Sequence, residues 1–355
     1  MISRVVEGGV DFRSVPLAEA TLYFRVSLKN SERRRGEGRG RNETLVGVTG
    51  RQDGGPTVRE TLLFAGALLA GVVLVVRFLN ARRAGKGRGR VRSGSPVVGY
   101  AHRGGATNAP ENTLVAFARG LSEGADALEM DVHLTRDGEL VVIHDENVER
   151  TTEGFGRVSE MDYSDLSRLD AGYRFEGEGR YPYRGRGIRV PSFGEVLRSF
   201  PEARVNVEVK SDAAEARRRM ARLIKGCGAE GRVTVASSGH RRMLRLRKEI
   251  PGVATSASLI EVAVFHFAAR LGLEAFVPTP YVALQVPVRY RGMEVVTPGL
   301  VEAAHSRGVR VDVWTVDEEE EISRLVDLGV DGIMTDRPDL LRSVLDGRPP
   351  GKTVD

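Results

Sequence analysis

From Pro96 onward, short apolar runs alternate with longer stretches whose apolar residues recur at helical spacing, the pattern of βα units built on a mostly parallel sheet. Nine runs qualify as strands: VVGYAH (97–102), ALEMDV (127–132), LVVIHD (140–145), VNVEVK (205–210), VTVAS (233–237), VATSAS (253–258), VALQVP (282–287), VRVDVWT (309–315) and DGIMTD (331–336). A closed eight-stranded barrel needs one fewer. The segment between the second and third runs is too short for a crossover helix and contains the Asp137-Gly138 turn, so these two runs are expected to pair as a hairpin. Helix-start signals stand where the alternation requires them, at Asn112 and Thr113, at Pro298 and at Asp317, with Gly329 closing the last of these helices. Residues 151–191 break the rhythm with Gly, Tyr and Arg, which predicts a loop-rich insertion able to roof the barrel mouth. The fold class expected is therefore α/β, a (β/α)8 barrel over 96–345 followed by a short tail, 346–355.

Upstream, the pattern is different. Thr61 to Val76 is sixteen residues without a charge, extending to Leu79 if Arg77 reaches the headgroups. A bilayer core takes about 20 apolar residues, so 61–79 is expected to be one transmembrane helix at the short end of the range. Seven basic residues and no acids lie between Arg77 and Arg92. They make 80–95 a basic, Gly-rich linker suited to anionic lipid, and they place the C-terminal side in the cytoplasm. Residues 1–60 have mixed charge and weak periodicity, and are expected to be disordered.

Charge sharpens this division. Residues 1–95 hold 18 Lys or Arg against 8 Asp or Glu, a net +10, so the rest of the chain, with 35 against 40, is −5. The basic excess thus belongs to the N-terminal part, and nucleic acid is not an expected partner of the barrel. The single cysteine, Cys227, excludes an internal disulfide and is expected to pack as a small apolar residue.

In a barrel of this kind reactive groups sit where strands end. His102 and Arg103 close the first run, Glu129 and Asp131 the second, His144 and Asp145 the third, Glu208 and Lys210 the fourth. Glu129 and Asp131 are two apart on a strand, so both carboxylates share a face and can reach one hard cation, with Glu208 as a third oxygen donor. Three carboxylates without a cysteine suit Mg²⁺ or Ca²⁺ better than Zn²⁺. Arg103 and Lys210 are candidates to hold phosphate oxygens, or else counter-ions to the acids. His102 and His144 titrate where general acid and base work is done at neutral pH. His133, His240, His266 and His305 are expected to be structural, and Trp314 is expected to line a substrate pocket or to pack the barrel top.

The motifs HRG (102–104), PENT (110–113), GADALEMDVHLTRDGELVVIHD (124–145), RTT (150–152), VEVK (207–210), WTV (314–316) and GVDGIMTDRP (329–338) together resemble the glycerophosphodiester phosphodiesterases. The resemblance covers about Val98 to Leu345. It implies a TIM-type barrel that hydrolyses glycerophosphodiesters to glycerol 3-phosphate and an alcohol. It also implies a divalent metal at Glu129, Asp131 and Glu208, acid/base chemistry at His102 and His144, and phosphate contacts from Arg103 and Lys210. Two departures, Gly239-His240 after VTVASS and Asp317 after WTV, fall outside that set. A lysophospholipase D type activity on membrane lysolipids, and a catalytically silent phosphate-binding module tethered to a membrane, are the competing expectations. The alcohol group and the oligomeric state have no signature in the sequence.

Overall fold

The computed structural model describes residues 96–177 and 179–347. The disordered segment, transmembrane helix and basic linker expected over 1–95, and residues 348–355 of the tail, lie outside the described residues. Among the described residues no helix is long and apolar enough to cross a membrane.

Among the described residues eleven strands form: β1 (Val98–Ala101), β2 (Ala127–Leu134), β3 (Leu140–Val142), β4 (Arg204–Val209), β5 (Val233–Ala236), β6 (Ala254–Thr255), β7 (Ala283–Pro287), β8 (Arg289–Tyr290), β9 (Met293–Glu294), β10 (Arg310–Trp314) and β11 (Gly332–Thr335). Eight of them pair in the order β6-β5-β4-β2-β1-β11-β10-β7, all parallel along this path. A parallel bridge from Ser256 to Ala283 joins the two ends and closes the barrel. The ninth run is resolved as well: β3 pairs antiparallel with β2, Val132 opposite Val142, and stands off the barrel path. The run expected over 253–258 shortens to the two residues of β6. The β8–β9 hairpin was not expected.

Eight helices follow the barrel strands: α1 (Leu114–Ser122), α2 (Phe193–Ser199), α3 (Ala214–Gly226), α4 (His240–Glu249), α5 (Leu259–Leu271), α6 (Pro298–Ser306), α7 (Glu319–Leu328) and α8 (Pro338–Asp346). Several start signals act as their chemistry dictates. Thr113 caps α1 by accepting from the Ala116 N–H, and Thr297 caps α6 ahead of Pro298. Ser192 and Ser258 form complete capping boxes with Glu195 and Glu261. Asp317 does not cap α7, whose N-cap residue is Glu318.

Strand periodicity divides the interior in two. Leu128, Met130 and Val132 of β2 and Val205, Val207 and Val209 of β4 face outward and pack against Phe117, Met220 and Ile224 of the helices. Val311, Val313 and Ile333 do the same on the opposite side with Leu300, Ile322 and Leu325. Each such side chain contributes about 1.5–3 kcal/mol on burial. The alternate positions, Glu129, Asp131, Asn206, Glu208, Arg310 and Asp312 among them, turn toward the barrel axis. The 151–191 insertion carries its own small core, with Val158, Leu166, Ile188 and Val190 packed against Val141 of β3.

Candidate active site

The first strand ends in a strained corner. Arg103 (φ 50°) and Asn112 (φ 58°) both adopt left-handed backbone. The Arg103 N–H donates to Glu129 Oε2 at 3.0 Å, and its carbonyl accepts from the Asn112 N–H at 2.8 Å. Gly104 (φ 91°) is required here, since a Cβ would lie 2.7 Å from the Ala116 Cβ. The corner thereby sets His102 and Arg103 over the acids of β2.

Glu129 and Asp131 are 6% and 3% exposed, on one face of β2, and Glu208 on β4 is in register with Asp131. Burial and the neighbouring Asp131 charge hold the Glu129 carboxyl well above the usual carboxylate range. Asp131 is held below it, because Lys210, His144 and Arg103 outweigh its burial. Lys210 Nζ bridges Asp131 Oδ1 at 3.0 Å and Glu208 Oε2 at 2.7 Å. Arg103 reaches Glu111 Oε1 at 3.1 Å and Asp131 Oδ2 at 3.4 Å. Both cations expected for phosphate are therefore counter-ions to the acids as well.

Each of the two histidines has a carboxylate on Nδ1. His102 Nδ1–H donates to Asp336 at 2.7 Å, and its Nε2 stands 3.9 Å from Glu129. Burial pushes the His102 imidazole down, but Asp336 and Glu129 together outweigh it and hold it above the usual range. His144 Nδ1–H donates to Asp145 at 2.6 Å. Arg150 locks that carboxylate at 2.6 Å and forks onto Glu111 at 2.6 and 2.7 Å. The His144 hydrogen bond and Arg150 depress Asp145 strongly against its burial.

The nominated residues thus meet in one connected network: Asp336, His102, Glu129, Arg103, Asp131, Lys210 and Glu208, continuing through Glu111, Arg150 and Asp145 to His144. Trp314 stands on the rim at the end of β10, opposite Pro287 and 44% exposed. His133 donates to the His144 carbonyl at 3.0 Å, and His240 and His305 pair with Ser258 and Asp331, as structural histidines do.

Four members of the network escaped the sequence reading as functional groups: Asp336, Asp145 as an orienting acid, Glu111 and Arg150. Asp145 had a local signal, being next to His144. Asp336 had a topological one, because a closed barrel makes its first and last strands neighbours, and Ala101 indeed pairs with Thr335.

Among the described residues no three acid or imidazole side chains stand as a closed metal-ligand cluster. The donor set nevertheless fits a hard cation. Six carboxylates (Glu111, Glu129, Asp131, Asp145, Glu208, Asp336) converge with three permanent cations (Arg103, Arg150, Lys210), leaving negative charge that a divalent ion would neutralise.

The model of the glycerophosphoryl diester phosphodiesterase family matches residues 102–340, most of the chain and all of this network. The chain belongs to that family. A glycerophosphodiester phosphodiesterase of Caldanaerobacter subterraneus is 37% identical over 250 residues, covering 68% of this chain and 94% of that protein. A lysophospholipase D of Homo sapiens is 28% identical over 269 residues, covering 69% of this chain and 84% of its own. A crystal structure of a glycerophosphodiester phosphodiesterase from Agrobacterium tumefaciens superposes with a TM-score of 0.58 at 28% identity, across 70% of this chain and 99% of that one.

Proposed function

We propose that the barrel mouth of this family member hydrolyses glycerophosphodiesters to glycerol 3-phosphate and an alcohol. The observation that carries this reading is the pair of imidazoles, each fixed through Nδ1 by its own carboxylate and joined to the same cluster of acids and cations. Fixing Nδ1 leaves Nε2 as the reactive nitrogen of both rings. One imidazole takes the proton of the attacking water oxygen as the bond to phosphorus forms. The other returns a proton to the alkoxide as the phosphorus–oxygen bond to the alcohol breaks. Arg103 and Lys210 supply positive charge for the non-bridging phosphate oxygens. Glu129, Asp131 and Glu208 would hold a divalent cation, Mg²⁺ or Ca²⁺, which when bound withdraws charge from the phosphate. Trp314 bounds the alcohol side of the pocket.

Around this barrel we place an N-terminal membrane anchor over 61–79, with the barrel on the cytoplasmic side. A lysophospholipase D type activity is the second reading, favoured by the Homo sapiens relative and by that apolar run. The test is release of glycerol 3-phosphate from glycerophosphocholine by the purified chain, set against turnover of lysophosphatidylcholine. Activity should disappear in a chelator and return with Mg²⁺ or Ca²⁺. A chain inactive on both diesters under every metal condition would overturn the proposal.

A further inference from the structure

One apolar surface of the barrel takes no part in this chemistry. α5 presents Leu259, Ile260, Val264, Phe267 and Leu271 to solvent, each 50% exposed or more. Their spacing puts all five within one arc of the helix, while Phe265 is buried on the other side. Single exposed apolar residues are ordinary, but a continuous stripe marks an interaction surface.

The stripe continues to the mouth. α5 follows β6, so Leu259 and Ile260 stand at the end of the barrel that carries the site. β7 is the next strand around, through the Ser256–Ala283 bridge, and it runs into the β8–β9 hairpin, where Tyr290 and Met293 are 46% and 57% exposed. β10 pairs with β7 and ends on the exposed Trp314. Three successive strand ends thus carry apolar or aromatic side chains to the surface. Basic side chains stand beside them: Arg289 and Arg291 in the hairpin, and Arg245 and Lys248 on α4, which packs against α5, are all exposed. The hairpin acid Glu294 is engaged by Arg324 at 3.1 Å.

We propose that this face docks on an anionic lipid bilayer and turns the barrel mouth toward the lipid. Apolar and aromatic side chains flanked by arginine match the acyl boundary and the headgroup layer respectively. A second copy of the chain matches less well, because two such faces would bring their arginines together. The uncharged run 61–76, followed by seven basic residues to Arg92, gives the same chain a second feature of matching chemistry. One membrane signal alone holds weakly, and two hold firmly. That the docked mouth draws its diesters from a lipid surface rests on the phosphodiesterase reading; the docking itself does not.

Trp314 is the only tryptophan in the chain and reports on this rim. The full chain and the fragment 96–355, its fold first checked by circular dichroism, are titrated with phosphatidylcholine vesicles with and without phosphatidylserine. Docking predicts a blue shift of the Trp314 emission and its quenching by brominated acyl chains, both stronger with phosphatidylserine. The double variant Ile260→Asp, Met293→Asp should bind at least about tenfold more weakly, with turnover of soluble glycerophosphocholine unchanged. Three outcomes overturn the proposal: no emission change with any vesicle; a blue shift without vesicles that tracks dimer formation in sedimentation, which assigns the face to a second copy; or binding by the full chain but not by the fragment, which assigns it to the run 61–76. Vesicle docking by a metal-supplied chain that leaves both glycerophosphocholine and lysophosphatidylcholine intact would sink the phosphodiesterase reading alone.

Discussion

Asp336 lies 234 positions from His102 and yet orients its imidazole. In the Asp336→Asn variant the hydrogen bond loses its charge, so the His102 imidazole, now held high against its burial, should fall. Turnover is expected to drop roughly 10- to 100-fold, on the scale of lost outer-shell orientation. The limb of the kcat/KM profile that reports His102 should move to lower pH, a displacement that a purely structural role for Asp336 would not produce. His144→Ala and Glu129→Ala act on the chemistry directly and should each cost about 100-fold or more in turnover. Circular dichroism should remain that of the parent, since neither side chain belongs to the apolar clusters. The members nominated from sequence were polar exceptions at the ends of apolar runs: His102, Arg103, Glu129, Asp131, His144, Glu208 and Lys210. Arg150 and Glu111 sit in loops, where a charged residue is the default; the motifs RTT and PENT mark their positions, but only the fork geometry gives them a role.

Among the elements, strand period and capping chemistry were legible because both are local. The β2–β3 hairpin followed from one short connection, and α1 and α6 from their Thr and Pro signals. Asp317 shows where local logic stops. Its position ahead of α7 suggests a cap, but its carboxylate instead accepts from the Thr335 hydroxyl at 2.9 Å and from the Asp336 N–H at 2.7 Å. It secures the corner that carries Asp336, a contact eighteen and nineteen positions away that no capping rule contains. Glu261 is a cap with a second partner, Arg247, at 2.6 and 3.0 Å. Burial pushes its carboxyl up, but Arg247 and the Ser258 donors outweigh this and hold it below the ordinary value. A depressed folded pKa means that Glu261 stabilises the fold above its unfolded pKa of about 4.3, and that this contribution fades as pH falls through the lower folded value. Glu261→Gln should therefore lower stability by about 1 kcal/mol at pH 7, seen as roughly 2–4 °C in Tm. The two unfolding curves should converge in acid, as pH falls through the depressed folded value. A difference that does not narrow at all on acidification would remove the charged cap from the account.

At the scale of the whole molecule, every member of the charged network lies between His102 and Asp336, on a barrel whose net charge is opposite to that of the 95 residues before it. Barrel closure explains why so compressed a site needs so long a segment: the first and last strands must meet before His102 has Asp336. The strand pairs that close it, β1 with β11 and the Ser256–Ala283 bridge between β6 and β7, all lie within 98–335. The fragment 96–355 should accordingly fold in a single cooperative transition and release glycerol 3-phosphate from a soluble diester within about twofold of the full chain, since no group that stabilises the transition state is lost. On vesicle-borne substrate the two should separate, because the fragment keeps the apolar face of α5 but loses the apolar run and its seven basic neighbours. Multivalent attachment multiplies affinities, so the loss there is expected to reach about 10²-fold in apparent KM while kcat at saturating lipid is retained. Equal KM values for fragment and full chain on vesicles would mean that the N-terminal 95 residues contribute nothing to meeting the substrate, and that the barrel reaches lipid through its own face alone.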